Sequence, residues 1–188
     1  MPTIAIIGAG FTGSMLAVHL MSQASANPLM RHASPPLRIT LIEKRSRCGP
    51  GLAYSTDNPS HLLNGPAGKM SAFPSAPNHF LEWLSRHSQQ GHSRSRFYGP
   101  GSFVTRQLYG DYLSSLLDHA AESSPPDRFQ RITAQAIDLS AETDAIKIKL
   151  SDGATVSADR GVLALGNFPP LSSLDSAVIA SDRYIADP

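Results

Sequence analysis

The apolar positions of this chain fall into two periods, and the switches between them mark out its elements. A short apolar run, Ile4-Ala5-Ile6-Ile7, breaks into Gly8-Ala9-Gly10-Phe11-Thr12-Gly13 and resumes at helical spacing through Met15, Leu16, Val18, His19 and Leu20. That pattern predicts a strand, a tight turn and a helix. The polar, proline-bearing stretch from Ser22 to Pro36 reads as a loop. Leu37 to Glu43 follows as a second strand, alternating through Ile39 and Leu41 and ending in an acid. Between Cys48 and Pro77, glycine, proline, asparagine and serine leave about thirty residues with no clear period. Loops of that length inside a compact domain usually serve a ligand or a partner.

The later elements are read the same way. Ser75 to His87 predicts a helix with an early proline and with Phe80, Trp83, Leu84 and His87 on one face; packing accounts for that stripe better than a ring-stacking role for Trp83. A polar loop spans Ser88 to Arg96. Phe103 opens the longest helix, whose apolar face continues through Leu113, Leu116, Leu117 and Ala120 and which ends before Ser123-Ser124-Pro125-Pro126. The remainder is β. Phe129 to Leu139 is followed by an alternating hairpin, Ala145 to Leu150 and Thr155 to Asp159, around a Ser151-Asp152-Gly153 turn. Gly161 to Asn167 is an unbroken apolar run, as expected of a buried parallel strand, and leads to Pro169-Pro170. Together these elements predict an α/β, Rossmann-like fold: a central parallel sheet with helices and a small antiparallel β-meander.

The chemistry starts at the glycines. In a strand–turn–helix context, Gly8 permits the turn, Gly10 lets a pyrophosphate approach the backbone, and Gly13 lets the helix pack closely on the strand. The free N–H groups and positive dipole end of the helix then face the phosphates. Glu43 supplies the second half of the pattern, a carboxylate that accepts hydrogen bonds from a ribose. It stands further from the glycines than the ~20 residues usual for such an acid, and the Ser22 to Pro36 loop accounts for the excess. An acid there repels a 2′-phosphate, which favours FAD or NAD over NADP, although Lys44 and Arg45 beside it argue the other way. The competing reading of Glu43 is an exposed charge at a strand end. Asn64 and Lys69 could donate to flavin or phosphate oxygens or be plain loop residues; Arg106 suits an anion or a flavin edge as well as a surface salt bridge.

Composition narrows the function classes. A chain of 188 residues with 41% hydrophobic and 16% charged residues is long enough for one domain with a full core. A net charge of +1, with scattered basic residues, does not suggest nucleic-acid binding. No apolar run approaches the ~20 residues of a membrane span, and no basic n-region opens the chain, so a cytoplasmic protein is expected. The single cysteine, Cys48, excludes an internal disulfide and the cysteine pair of a disulfide reductase. Neighbouring arginines could lower its pKa, yet an incidental loop thiol is the simpler reading. No metal site is read. Of the seven histidines only His61, at the edge of the glycine-rich loop, is worth testing as a proton carrier.

The ordered segments GAGFTG, IEK, GPGLAYST, HLLNGPAGKMSAFP, FLEWL, FVTRQLYGDYL and LALGNFPP resemble the FAD/NAD(P)-binding domain of a large set of bacterial flavoproteins, distantly similar to N-hydroxylating and Baeyer–Villiger monooxygenases. The resemblance covers nearly the whole chain. It implies an FAD-binding domain of the glutathione-reductase type, with Gly8, Gly10, Phe11, Thr12 and Gly13 at the pyrophosphate and Glu43, with Lys44 beside it, at the ribose. It further implies Gly51, Leu52, Asn64, Met70, Arg106 and Ile137 around the cofactor, with Gly166 and Asn167 closing the site. Such proteins continue into a region holding an NADPH site and substrate elements, whereas this chain ends at Pro188 with no second GxGxxG to take NAD(P)H. It is therefore expected to be a single domain over residues 1–188, either the N-terminal portion of a longer flavoprotein or a stand-alone unit. Two functions follow as expectations: an FAD-dependent, monooxygenase-like oxidoreductase acting on an unknown small molecule, or a non-catalytic FAD- or NAD-binding module with a sensing or structural role. Oligomeric state is not legible.

Overall fold

A computed structural model describes residues 2–26, 36–89, 97–168, 174 and 176–183. Strand β1 (Thr3–Ile7) leads through the glycine turn into helix α1 (Phe11–Ala26), and β2 (Arg38–Glu43) follows. A 3-10 turn at Ala67–Lys69 interrupts the long loop before α2 (His79–Gln89) and α3 (Arg106–Glu122). Strands β3 (Phe129–Thr133), β4 (Ala136–Ala141), β5 (Ile146–Leu150), β6 (Thr155–Ala158) and β7 (Arg160–Leu163) complete the two sheets, and a short helix, α4, spans Ser176–Ile179.

Four strands, in the order β3-β2-β1-β7, form a parallel sheet; β4-β5-β6 form a separate antiparallel one. The α/β class and the small meander are thus as the sequence predicts. Because the four strands run parallel, with Ile7 opposite Ile42 and Leu163 and Glu43 opposite Thr133, their carboxyl ends open on one edge. That edge is where ligands sit in such sheets. The main core fills the space between sheet and helices: Ile6, Ile39 and Leu41 meet Met15, Val18 and Met21 of α1, which in turn meet Leu113, Leu116 and Leu117 of α3. A second cluster, with Ala5, Ile7 and Ile42 against Ile148 and Leu150, joins the other sheet face to the meander.

Several boundaries differ from the sequence reading for local reasons. Helix α1 runs through Ser22 to Ala26, since alanine and glutamine there propagate a helix that only the later prolines must stop. Of the expected Ser22–Pro36 loop, residues 27–35 lie outside the described residues, as do residues 90–96 of the expected Ser88–Arg96 loop and Pro169-Pro170. Helix α2 begins at His79, not Ser75, because Pro77 disfavours helical backbone at its predecessor and the chain instead makes tight turns, Ala76 N–H to Phe73 O and His79 N–H to Ala76 O. It then extends to Gln89. Thr105 caps α3 by accepting the Leu108 N–H at 3.3 Å, so this helix starts three residues after Phe103. The expected strand from Phe129 to Leu139 divides at Ala134-Gln135, its first half joining the parallel sheet beside β2 and its second the meander. Finally, the apolar run after Gly161 is not a buried strand among the described residues: β7 stands at the sheet edge, with Leu163 61% and Leu165 53% exposed.

Candidate dinucleotide site

The turn after β1 is fixed from both neighbouring strands. Gly8 N–H donates to Ile42 O at 2.8 Å, and Ala164 N–H donates to Ile7 O at 2.8 Å. Gly8 has φ +98, and a Cβ on it would lie 2.3 Å from Ala164 O, so only glycine fits. Gly13 is required for a different reason: its Cβ would fall 1.9 Å from Gly8 O, which is the close helix–strand packing expected of the third glycine. The buried hydroxyl of Ser14 donates to Ala9 O at 2.9 Å and Ser14 N–H to Gly10 O at 3.0 Å, closing the turn onto α1.

This leaves the N–H groups of Phe11, Thr12 and Gly13, the first of α1, without an acceptor among the described residues. Such orphan donors, at the positive end of a helix of sixteen residues, form a cradle for an anion. Gly10 keeps it open, since a Cβ there would touch nothing nearer than Gly51 Cα at 3.4 Å.

Glu43 is not a free charge at a strand end. Its Oε2 accepts the Ala9 N–H at 2.7 Å and its Oε1 accepts the Arg45 N–H at 3.1 Å, so the carboxylate is bonded to the glycine turn itself. Charge-assisted bonds of this kind are about twice as strong as neutral ones. Lys44 is exposed beside it. Ala134 N–H donates to Glu43 O at 2.9 Å, which brings the corner between β3 and β4 to the same edge; Ile137, exposed at the β4 irregularity, lies just beyond.

A second wall comes from the glycine-rich loop. Gly49 N–H donates to Ala9 O at 2.8 Å, and Gly51, with φ +57, would place a Cβ 2.9 Å from Gly10 Cα. Gly49 and Gly110 let this loop settle on α3: their Cβ atoms would meet Ser114 N at 2.8 Å and Tyr54 O at 2.3 Å. The Ser114 hydroxyl donates to Cys48 O at 2.8 Å, and Arg47 pairs with Asp111. Tyr54 carries the contact onward, edge-on to Phe11 at 6.5 Å and to Tyr109 at 4.8 Å.

The other expected residues form a looser group. Leu62 bridges Thr105, Arg106 N–H donates to His61 O at 2.8 Å, and Arg106 Nε donates to Leu62 O at 3.2 Å. Arg106 makes no ion pair among the described residues, and its Nε leans on the loop that carries Asn64. Asn64 is exposed, Leu52 is 75% exposed, and Met70 is half-buried close to Gly65. Beyond β7, Gly166 has φ +73 with nothing within 4 Å of its Cβ position, and Asn167 follows it, exposed at the same sheet edge.

The readings of Cys48 as an incidental loop thiol and of His61 as a residue to test gain local detail. Burial pushes the Cys48 thiol up, outweighing Arg131, with Glu43 and Asp118 adding to the rise; nearby arginines do not make it a thiolate. His61 Nδ1 is 2.8 Å from Thr56 Oγ1 at the surface, which gives it a partner but no catalytic neighbour. Residues missed in the sequence are Ala9, Ser14, Gly49 and Gly110. Gly110 had a readable signal, since a glycine inside a helix costs about 1 kcal/mol and calls for a packing reason.

Residues 5–168 match the model of the FAD-NAD(P)-binding family, and the chain belongs to that family. Dinucleotide binding is thereby the property of the class. Among solved structures the fold is similar to cyclohexanone monooxygenase in its closed form, at 17% identity and a TM-score of 0.57 over 93% of this chain and 28% of that one. It is also similar to a flavin-containing monooxygenase from Stenotrophomonas maltophilia, at 16% identity and a TM-score of 0.53 over 87% of this chain and 38% of that one. The chain therefore spans about a third of the length of these structures. No curated protein sequence matches it. Among the described residues, no helix is long and apolar enough to cross a membrane.

Proposed function

We propose that this chain is an FAD-binding oxidoreductase domain, monooxygenase-like, which uses the flavin for redox chemistry on a small molecule. The observation that carries the reading is the cradle above Gly10: three N–H groups at a helix start without an acceptor among the described residues, next to a carboxylate bonded to the glycine turn at the sheet edge. A pyrophosphate fits the N–H groups of Phe11, Thr12 and Gly13, and the acid accepts ribose hydroxyls while disfavouring a 2′-phosphate. The same cradle would take NAD, the alternative ligand. Gly51, Leu52, Asn64, Met70 and Arg106 of the long loop and helix, the Ile137 corner, and Gly166 with Asn167 are the further residues we assign to the cofactor, and a ligand as long as FAD would use them.

FAD, when bound, supplies electron transfer, and the protein supplies binding, orientation and electrostatics. Here the helix N-terminus and Arg106 hold negative charge, Glu43 orients the ribose end, and Phe11 and Tyr54 present apolar surface at the turn. The cyclohexanone and flavin-containing monooxygenases that share the fold support the oxidoreductase reading. We take residues 1–188 as one such domain and place it in the cytoplasm, where a lone thiol remains reduced. A second reading is a non-catalytic FAD- or NAD-binding module with a sensing or structural role, for which the cradle alone suffices.

Purified protein should be yellow, and anaerobic NADH or NADPH should bleach it if the domain reduces its own flavin. A yellow protein that reduced nicotinamide leaves unbleached supports the module; a colourless protein that FAD cannot load overturns the flavoprotein reading.

A further inference from the structure

A groove of about 340 Å³ separates α2 from α3, lined by His79, Trp83, Arg86 and His87 on one side and Ser115, Leu116 and His119 on the other. It is distinct from the dinucleotide cradle: Gly110 and Ser114 of α3 face the Gly49–Tyr54 loop, whereas Ser115, Leu116 and His119 turn another flank of that helix to the groove. Its volume lies at the small end of small-molecule sites.

Among the described residues the lining combines nitrogen donors with an apolar floor and holds no carboxylate, the acid acting on it being Glu82, whose charge is felt by His79. Arg86 uses Nε on Glu82 O at 3.4 Å, within its own helix, and makes no ion pair among the described residues. His79 is held at Nδ1 by the Tyr112 hydroxyl at 2.9 Å, which fixes its ring and leaves Nε2 as its second polar atom. Trp83 stacks on His87 at 4.6 Å and 15°, so two rings together build the floor. No group of histidines and acids among the described residues has metal-holding geometry, which argues against a cation. A guanidinium with the His79 and His119 imidazoles suits an oxyanion, and a tetrahedral phosphoryl group, accepting from several directions, uses such a set better than a planar carboxylate. Leu116 and Trp83 provide apolar surface for the organic part.

We propose that this groove is a second ligand site, for a phosphorylated small molecule bound through Arg86, His79 and His119. The idea stands independently of the flavin reading, because it uses none of the cradle residues.

Trp83 is the chain's one tryptophan, so its fluorescence reports on this groove. Full-length protein titrated with inorganic phosphate and with glycerol phosphate, at ionic strength held constant with chloride, should show a saturable change in emission. The midpoint should rise at least five-fold in Arg86→Gln and in His119→Gln, both at exposed positions, and should be unchanged in Gly10→Val. A flat titration, or equal midpoints in the Arg86 and His119 variants and the parent, overturns the site. Histidine ring resonances of the unaltered protein give a measurement free of any folding effect: phosphate should move those of His79 and His119, and stationary signals contradict the proposal.

Discussion

The turn end of the cleft and its loop end are built differently. From Gly8 to Gly13 with Glu43, backbone groups are bonded to the neighbouring strands, to the Gly49 loop or within the turn, the first N–H groups of α1 have no acceptor among the described residues, and Gly8 and Gly13 sit where a Cβ would strike backbone. At the other end, Leu52, Asn64 and Asn167 are exposed, and Arg106 rests on a single carbonyl of the loop it faces. The contrast teaches what each end can contribute. The turn is preorganised, so binding there orders little that is not already ordered, whereas the exposed loop end has more to order on binding.

The largest test of this contrast sets two glycines against each other. Gly13→Ala puts a methyl 1.9 Å from Gly8 O, and overpacking against backbone should cost about 3 kcal/mol, lowering the thermal midpoint by roughly 6–12 °C. Gly166→Ala meets no atom within 4 Å and pays only for its positive φ, about 1 kcal/mol. Equal losses in calorimetry would erase the distinction between the two ends.

Next in size, Gly10→Val should keep the fold, since the φ of Gly10 is not positive and Gly51 Cα is its nearest contact, while FAD affinity drops on the order of 100-fold, about 2.7 kcal/mol. Unchanged affinity would refute the cradle. Glu43→Ala removes both the ribose acceptor and the bond to Ala9 N–H; it should weaken FAD by roughly 30-fold, about 2 kcal/mol for a charge-assisted bond, read by flavin fluorescence.

The smallest effect lies away from the cleft. Asp159 accepts Thr3 N–H at 2.6 Å and Thr3 Oγ1–H at 2.8 Å, and these bonds hold its carboxyl below its ordinary value of 3.8. A carboxylate with a depressed folded pKa stabilises the protein above its unfolded value and loses that contribution as pH falls through the folded one. Asp159→Asn should therefore be slightly less stable than the parent at pH 7, with the difference shrinking below pH 4 in denaturant titrations. A difference that grows on acidification would reverse the sign of this contact.

The two ends were also unequally legible in the sequence. Gly8, Gly10, Gly13 and Glu43 could be read because the turn is local: strand period, glycine spacing and a following helix all depend on neighbours in the chain. What could not be read was long-range. The Glu43 carboxylate bonds the turn itself, Gly49 donates to Ala9, and Tyr54 links the turn to α3 through contacts no periodicity encodes. Phe129 to Leu139 looked like one strand because its composition is uniform, yet a bend at Ala134 sends its halves to different sheets. Leu163 and Leu165 read as buried because an apolar run in a parallel sheet usually is, whereas β7 stands at the edge. For Arg106, helix position was legible and its partner was not: the Leu62 carbonyl comes from a loop with no pattern.

The central claim is that the Gly8–Gly13 turn binds the pyrophosphate of FAD. Calorimetric titration of the purified, cofactor-stripped chain with FAD, and separately with FMN, tests it most directly, because FMN carries the flavin without the pyrophosphate and adenosine that the turn and Glu43 would hold. Saturable binding of one FAD per chain, with FMN at least tenfold weaker, is the result expected; equal affinity for the two, or no binding of FAD, would contradict it.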